Sequence, residues 1–327
     1  MPFEDTLNKA TIRRTWDAPV LAQQLQRLQR PLAYFGLTGP KLYDLLDWKN
    51  YIGVKTAVES IGHTQKQKAI AQETTGELLT NVMVNQLSSQ FQLMRGDIED
   101  IIIEGIDEDG HPPQESDGQP AHRMKFTYDI INLDFDGGLG YLTHQGVAKR
   151  TTAIKRLFER QLGHSFTLFL TVNVRDTLGD EIDSYLRELR KRNYTVKWSD
   201  QVDWYLSRPE GQREYKLKAT IPSFIHATAE PQMFKSICRP PIVYDGHGHA
   251  RMVHFVFELC AQPGNLRTFS DQDDRDLLAV PLLRCRDGEL SFADTQMGRY
   301  ENGELATHIG FLPSPTIESI LDASNIK

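Results

Sequence analysis

The chain has 327 residues, with 37 lysines and arginines against 44 aspartates and glutamates, so its formal net charge is −7. This balance argues against non-specific binding to nucleic acids, which favours basic proteins. The three cysteines are far apart in the sequence, which excludes a disulfide framework and a C-x-x-C zinc pair. No apolar run approaches about 18 residues, and the first residues lack a signal-peptide pattern, so we expect a cytoplasmic protein without a membrane segment.

Residues 1–30 predict an N-terminal helical arm. Leu21, Leu25 and Leu28 recur at helical spacing, and Pro31 ends the pattern. We interpret the arm as a cap on the rest of the protein, or as a surface for a partner subunit or a second copy of the chain.

From Pro31 onward, short apolar runs alternate with helix-like stretches. The runs that predict strands are 32–35, 54–59, 91–94, 128–133 and 166–172. Such alternation predicts an α/β fold with a doubly wound, mostly parallel sheet. The runs 240–244 and 250–259 flank a glycine-rich turn and predict an antiparallel hairpin that ends the sheet. The α/β domain therefore covers 31–260, and we expect an irregular C-terminal extension over 261–327.

Polar residues follow four of the predicted strands, where ligands bind in open parallel sheets. The candidates are Gly36, Thr38 and Gly39 after the first strand, Glu59 at the end of the second, Asp97 and Ile98 after the third, and Asp134, Phe135 and Asp136 after the fourth. The glycines allow a ligand to approach bare backbone. Glu59, about 20 residues beyond Gly39, is placed to accept hydrogen bonds from ribose hydroxyls. Asp97 suits an adenine amine, with Ile98 covering one face of the ring.

The order of these residues resembles that of class I S-adenosylmethionine-dependent methyltransferases. The segment Leu133-Asp134-Phe135-Asp136-Gly137 is similar to the D-P-F-G type of motif that follows the fourth strand in that family. The resemblance implies a Rossmann-like methyltransferase architecture and S-adenosylmethionine as cofactor. It implies that Gly36 and Gly39 pass the cofactor, that Glu59 holds its ribose and Asp97 its adenine, and that Asp134 faces the methyl acceptor. The chain departs from the family in the glycine loop, which lacks the usual acid and third glycine, and in having Phe135 in place of proline.

Methyl transfer asks mainly that side chains align the acceptor. Asp134 would accept a hydrogen bond or a proton from an amine, and Asp136 is a spare carboxylate. If the acceptor is a nucleic-acid base, Phe135 or Tyr141 would stack on it. The resemblance therefore predicts a methyltransferase acting on a base or another amine, carried by a nucleic acid or a protein. The departures favour an alternative of a different class, a catalytically inactive binding subunit of a larger complex.

A third hypothesis uses the same acids. The segment from Asp134 to Gly137 is also similar to the D-x-D-G signature of haloacid-dehalogenase-type phosphatases, in which the first Asp attacks phosphorus and the second is the acid/base. Thr171, Lys191 and Asp200 with Asp203 would complete that site. The signature normally opens its domain, whereas here two predicted strand and helix units precede it.

No metal site is predicted. His247 and His249 lie in the glycine-rich turn, and His254 follows in the next predicted strand. No cysteine or acidic cluster accompanies them, and tight turns commonly carry exposed histidines. We therefore expect these histidines to bind no metal.

Overall fold

A computed structural model of the chain describes residues 5–60, 65–114, 127–135, 137–140, 142, 148–161, 163–175, 179–191, 202–209, 212–262 and 280–293. The strands are β1 Leu32–Leu37, β2 Ile52–Glu59, β3 Phe91–Arg95, β4 Ile130–Asp134, β5 Phe166–Asn173, β6 Phe234–Cys238, β7 Ile242–Asp245, β8 Arg251–Ala261, β9 Leu283–Arg286 and β10 Glu289–Phe292. Together they form one sheet with the order β10-β9-β7-β8-β5-β4-β1-β2-β3, and β6 pairs with β8 outside this path.

Helices flank the sheet. The helix α1 (Leu7–Thr11) continues through a π-helical segment (Ile12–Asp17) into α2 (Ala18–Leu28), and we call this continuous stretch the N-terminal helix. The others are α3 Tyr43–Asp47, α4 Gln65–Val84, α5 Ile98–Glu104, α6 Lys149–Arg160, α7 Gly179–Lys191, α8 over 202–206 and α9 Arg213–Ala229.

The sheet confirms the predicted fold class. Strands β3, β2, β1, β4 and β5 are parallel. Strand β8 runs antiparallel to β5 and forms the predicted hairpin with β7. The chain winds outward from β1 in one direction and from β4 in the other, so the topological switch point lies between these two strands. In doubly wound sheets, ligands bind at the carboxyl ends of the strands beside such a point.

The expectation that 261–327 is irregular is wrong for 283–292. Strand β9 adds to the sheet in parallel with β7 and in antiparallel with β10. Leu283 and Cys285 point into the core, while the residues between and after them are arginines. An alternation this short carries little signal, because strand preference depends on the neighbouring strand against which the residues pack.

The two faces of the sheet have separate cores. Ala33 and Phe35 of β1 face the helices α5, α6, α7 and α9, whereas Leu32 and Tyr34 face the N-terminal helix, α3 and α4. Leu21 of the predicted arm is fully buried against this second face. Binding of a partner subunit or a second copy through the same helix stays a prediction.

Gly36 lies inside β1, between Ala57 and Asn132 in register, so the prediction that it belongs to the following turn is wrong.

A Cβ atom on Gly36 would lie 2.4 Å from the carbonyl oxygen of Asn132. Because backbone cannot move aside easily, we expect Gly36→Ala to lower the free energy of unfolding by about 1–3 kcal/mol in urea denaturation. Gly76→Ala on the exposed surface of α4 is the control. A Cβ atom there meets nothing within 4 Å, so Gly76→Ala should raise the free energy of unfolding by at most about 1 kcal/mol. Equal losses in the two variants would contradict the packing argument.

Candidate functional site

The predicted site residues after β1, β2 and β3 meet at one rim of the sheet. Leu37 pairs with Val58 in parallel register, which sets Thr38 beside Glu59. Ser60, directly after Glu59, donates a hydrogen bond from Oγ to Asp97 Oδ1 at 3.0 Å. Gly39 forms the turn after β1 with a φ of 60°, a conformation that favours glycine. These residues therefore line a continuous polar rim, as the sequence predicted.

Glu59 and Thr38 have unused hydrogen-bonding capacity. The Glu59 residue is only 9% exposed, and its Oε2 accepts a hydrogen bond from Thr75 Oγ1 on α4 at 2.5 Å. Within the described part of the chain, its Oε1 has no hydrogen-bond partner, and neither has the buried hydroxyl of Thr38. A buried polar atom without a partner costs free energy. A ligand that brings hydroxyl donors to this place would remove that cost.

Asp97 and Ile98 sit at the start of α5. Asp97 occupies the N-cap position, but its side chain makes no capping hydrogen bond. Lys149 Nζ lies 3.7 Å from it and 2.6 Å from Asp100. Ile98 is 3% exposed and packs into the core below the rim. Its contact with an adenine ring stays a prediction.

At the end of β4, Asp134 is paired with a residue that sequence reasoning missed. Lys9 Nζ, from the first turn of the N-terminal helix, donates to Asp134 Oδ2 at 2.8 Å. The charge of Asp134 raises the pKa of Lys9 above its ordinary value, against the opposing effect of burial. No motif surrounds Lys9, so only the packing of the helix on the sheet reveals the contact.

Asp44, at the start of α3, is a second missed acid at this end of the sheet. Its carboxylate accepts a hydrogen bond from Asn132 Nδ2 at 2.8 Å and lies 3.4 Å from Arg13 Nε. Burial raises the pKa of Asp44 to about 7, and the charge of Asp134 adds to the effect while that of Arg13 opposes it. We call Lys9, Arg13, Asp44, Asn132 and Asp134 the rim cluster.

The raised pKa of Asp44 predicts a pH-dependent stability. An unfolded aspartate ionises near pH 3.9, so between about pH 4 and 7 Asp44 is protonated in the folded state and ionised in the unfolded state. The stability contributed by this proton is present at low pH and is lost as the pH rises through about 7. Asp44→Asn removes the loss, so between pH 5 and 8 it should gain about 2 to 3 kcal/mol relative to wild type. Urea denaturation at the two pH values measures this difference. The exposed change Asp109→Asn is the control, and a pH-independent difference for Asp44→Asn would refute the prediction.

A buried hydrogen-bonded chain ties the N-terminal helix to the sheet beside Asp134. His254 Nε2 lies 3.0 Å from Asp17 Oδ1, and its Nδ1 lies 3.0 Å from Thr171 Oγ1. Thr171 is the register partner of Asp134 on β5. Both ring nitrogens of His254 are thus engaged within the protein.

Among the described members of the phosphatase hypothesis, Lys191 has another partner. Lys191 Nζ contacts Glu188 at 2.5 Å on the exposed end of α7, and the ammonium beside Asp134 belongs to Lys9 instead. Asp136, Tyr141 and Asp200 lie outside the described residues.

Phe135 is not presented at the rim as the sequence predicted. The residue is 3% exposed and belongs to the core on the side of α6. The guanidinium of Arg150 lies over its ring, 4.6 Å from the centroid. Because residues alternate between faces along a strand, the position after Asp134 points to the opposite side of the sheet. Stacking of Phe135 on a methyl acceptor would therefore require its ring to leave the core.

Among the described residues, one group of potential metal ligands lies in a turn that contacts the end of β3, where the amide of Glu108 donates to the carbonyl oxygen of Arg95 at 3.0 Å. Asp107, Asp109 and His111 place ligand atoms within 4.8 Å of one another in the turn after α5. Asp107 Oδ1 already accepts hydrogen bonds from the backbone amides of the other two residues. These contacts account for the turn itself.

The fold is thus a Rossmann-like α/β architecture, a doubly wound and mostly parallel sheet that includes an antiparallel hairpin. No protein-family model matches the chain, and no curated protein matches it. Among solved structures it is similar to magnesium protoporphyrin IX methyltransferase of Synechocystis PCC 6803 with bound SAH, at 12% identity and a TM-score of 0.37 over 77% of this chain and 85% of the other. It is also similar to precorrin-6y C5,15-methyltransferase of Geobacter metallireducens, at 10% identity and a TM-score of 0.33 over 74% and 87%.

A third similar structure is the methyltransferase domain of bacterial CtHen1-C, at 14% identity and a TM-score of 0.35 over 78% of this chain and all of the other. Each of these TM-scores is below 0.5, so the assignment of the fold rests on the sheet order and not on the neighbours. Within the described ranges, no helix combines the length and the apolar composition needed to cross a bilayer.

Proposed function

We propose that the chain is a methyltransferase-like protein that binds S-adenosylmethionine along the rim from Thr38 to Asp97. The observation that carries the proposal is the buried carboxylate of Glu59, which has one oxygen held by Thr75 and the other without a partner in the described structure. Ribose offers hydroxyl donors of the kind that this oxygen lacks. The hydrogen-bond acceptors of the rim therefore fit the hydroxyl and amine donors of the adenosine part of the cofactor.

In this proposal, each rim residue contacts a different part of the cofactor. Glu59 Oε1 would accept a hydrogen bond from a ribose hydroxyl, with Thr38 Oγ1 beside it as a further polar contact. Asp97, held by Ser60, would accept from an adenine amine. The turn at Gly39 lets the cofactor approach the backbone of the loop after β1.

The cofactor, when bound, supplies a methyl group on a sulfonium, which is already activated for transfer. The chain then has to hold the acceptor in line and to receive a proton from it. Asp134 at the end of β4 is the described carboxylate placed for that role. The proposed acceptor is an amine, either on a nucleic-acid base or elsewhere, borne by a nucleic acid or a protein.

A non-catalytic binding subunit with the same fold is the second candidate function. Two observations favour it. The Lys9 ammonium already occupies the oxygen of Asp134 that an acceptor would use, and Phe135 is packed in the core where the acceptor motif would present a contact. In such a subunit the cofactor would bind at the rim without any transfer of its methyl group.

Titration calorimetry followed by a transfer assay separates these functions. We expect saturable binding of S-adenosylmethionine to the full chain, and transfer of labelled methyl to a nucleic-acid, protein or small-amine fraction of a cell extract. Asp134→Asn should keep the binding and lose about 10²-fold or more of the transfer, the range typical of a lost general base. Binding without transfer would establish the binding subunit instead. Absence of binding would overturn the proposed function.

A further inference from the structure

The contact between Lys9 and Asp134 has the chemistry of an amine bound at an acceptor site. An ammonium nitrogen lies 2.8 Å from the carboxylate that follows β4. The side chains of Lys9 and Asp134 are 26% and 32% exposed, so the contact is reachable from solvent. A substrate amine that replaced the Lys9 ammonium would meet the same carboxylate.

The surroundings of Lys9 favour a cation. The charge of Asp134 has the largest effect and raises the pKa of Lys9, burial opposes it, and the charge of Asp44 adds a smaller increase. The contact is thus one between an ammonium group and a carboxylate, and an amine bound in the place of Lys9 would have to lose a proton before its nitrogen could accept a methyl group.

The N-terminal helix does not depend on Lys9 for its attachment. Arg13 binds Asp5 at 2.7 Å and Asp47 at 2.8 Å, and Asp17 binds His254 at 3.0 Å. Asp17 thus joins the helix to β8 about two turns beyond Lys9, and Arg13 joins it to α3 about one turn beyond, while Asp5 belongs to the N-terminal segment itself. The lysine side chain, with its flexible stem, can therefore rotate away from Asp134 while the helix remains in place.

We propose that Lys9 fills a subsite for a primary ammonium group beside Asp134, and that the methyl acceptor is a primary amine that displaces it. The proposal rests on the proposed function and specifies its substrate class. The Lys9 side chain then occupies the subsite until a substrate amine displaces its ammonium group from Asp134.

The transfer balances with the groups named. The acceptor amine loses a proton to the Asp134 carboxylate or to solvent, and its nitrogen lone pair forms the new N–C bond. The S–C bond of the cofactor breaks, and its electron pair remains on sulfur, which becomes a neutral thioether. No oxidant or further reactant is needed.

The test uses Lys9→Ala, which opens the subsite, and n-butylammonium as the probe that restores the missing side chain. At ten times the dissociation constant of the probe, we expect the melting temperature of Lys9→Ala to rise by about 2 °C, saturably. Lys9→Met should not respond, because its apolar side chain fills the subsite. Wild type should respond only at higher probe concentrations, because the probe must first displace the Lys9 ammonium from Asp134. The double variant Lys9→Ala/Asp134→Asn should not respond either, because it lacks the carboxylate.

Matched controls use 1-butanol and sodium chloride at the same concentrations. No rise in Lys9→Ala, or an equal rise in all four proteins, would overturn the proposal. A second readout is transfer of labelled methyl from S-adenosylmethionine to n-butylamine, which Lys9→Ala should perform faster than wild type. If Lys9→Ala binds both cofactor and probe but forms no methylated amine, the subsite is not the acceptor site. If the cofactor does not bind, the proposed function fails, while the melting experiment still decides whether the ammonium subsite exists.

Discussion

Replacing Glu59 with glutamine is expected to weaken the binding of S-adenosylmethionine by about 10- to 100-fold. The amide oxygen of glutamine can still accept a hydrogen bond, but it loses the charge that strengthens the bond to a ribose hydroxyl. Hydrogen bonds to charged groups contribute about 1.5–3 kcal/mol, which corresponds to this range of affinity. Titration calorimetry on wild type and Glu59→Gln measures the ratio of the dissociation constants.

The matched control is Glu77→Gln, which makes the same chemical change at an exposed position of α4. Its affinity for the cofactor should equal that of wild type. Thermal melting of both variants checks that the fold is kept. If Glu59→Gln binds the cofactor as tightly as Glu77→Gln does, Glu59 does not hold the ribose.

Removing the Asp129 side chain is expected to lower the free energy of unfolding by about 3 kcal/mol. Asp129, just before β4, is fully buried and accepts two hydrogen bonds from Arg30, at 2.7 and 2.9 Å. Its Oδ2 also accepts from the amide of Ala33 at 2.7 Å, and His164 Nε2 lies 3.0 Å from Oδ1. Asp129→Ala leaves the buried amide of Ala33 and the partly buried groups of Arg30 and His164 without this acceptor, and donors that lose their acceptor in this way are costly. Urea denaturation at pH 7 measures the loss.

The same residue predicts a loss of stability in acid. Burial by itself would raise the pKa of Asp129, but the hydrogen bonds from His164, Arg30 and Ala33 together lower it below the ordinary value. A carboxylate with a lowered folded pKa stabilises the protein above about pH 4 and loses that contribution as the pH falls through the folded pKa. The advantage of wild type over Asp129→Ala should therefore hold from pH 7 to 5 and shrink below about pH 4. Asp109→Ala, at a half-exposed position, should cost less than about 0.5 kcal/mol throughout. If wild type and Asp129→Ala still differ by the same free energy of unfolding at pH 3, the pKa of Asp129 is not what causes the loss of stability in acid.

Much of the fold follows from local patterns in the chain. The apolar runs that end at Glu59 and Asp134 are strands in the structure, and both acids lie at the ends of those strands. Parallel strands bring their carboxyl ends to one edge, so a polar rim was predictable once the alternation of strands and helices was recognised. The hairpin of β7 and β8 was predictable for a similar reason, because a glycine-rich turn between two apolar runs carries its own signal.

The predictions that are wrong concern the side of the sheet to which a residue points and the pairing of distant segments of the chain. Gly36 was assigned to a turn because glycine commonly ends a strand, whereas here it leaves room for the backbone of Asn132. The motif resemblance predicts Phe135 at the rim, whereas the alternation along β4 turns its side chain into the opposite core. Strands β9 and β10 escaped prediction because four-residue runs become strands only beside a partner.

Sequence alone established strands β1 to β5, the hairpin of β7 and β8, and the carboxylates that end β2 and β4, because hydrophobic periodicity and turn residues act over a few neighbouring positions. The contacts between distant parts of the chain were visible only in the tertiary structure. Lys9 meets Asp134 across 125 positions, and Asp17 meets His254 across 237. Such pairs depend on where the N-terminal helix packs on the sheet, and that placement is set by the summed burial of Trp16, Leu21 and their neighbours, which no local pattern encodes.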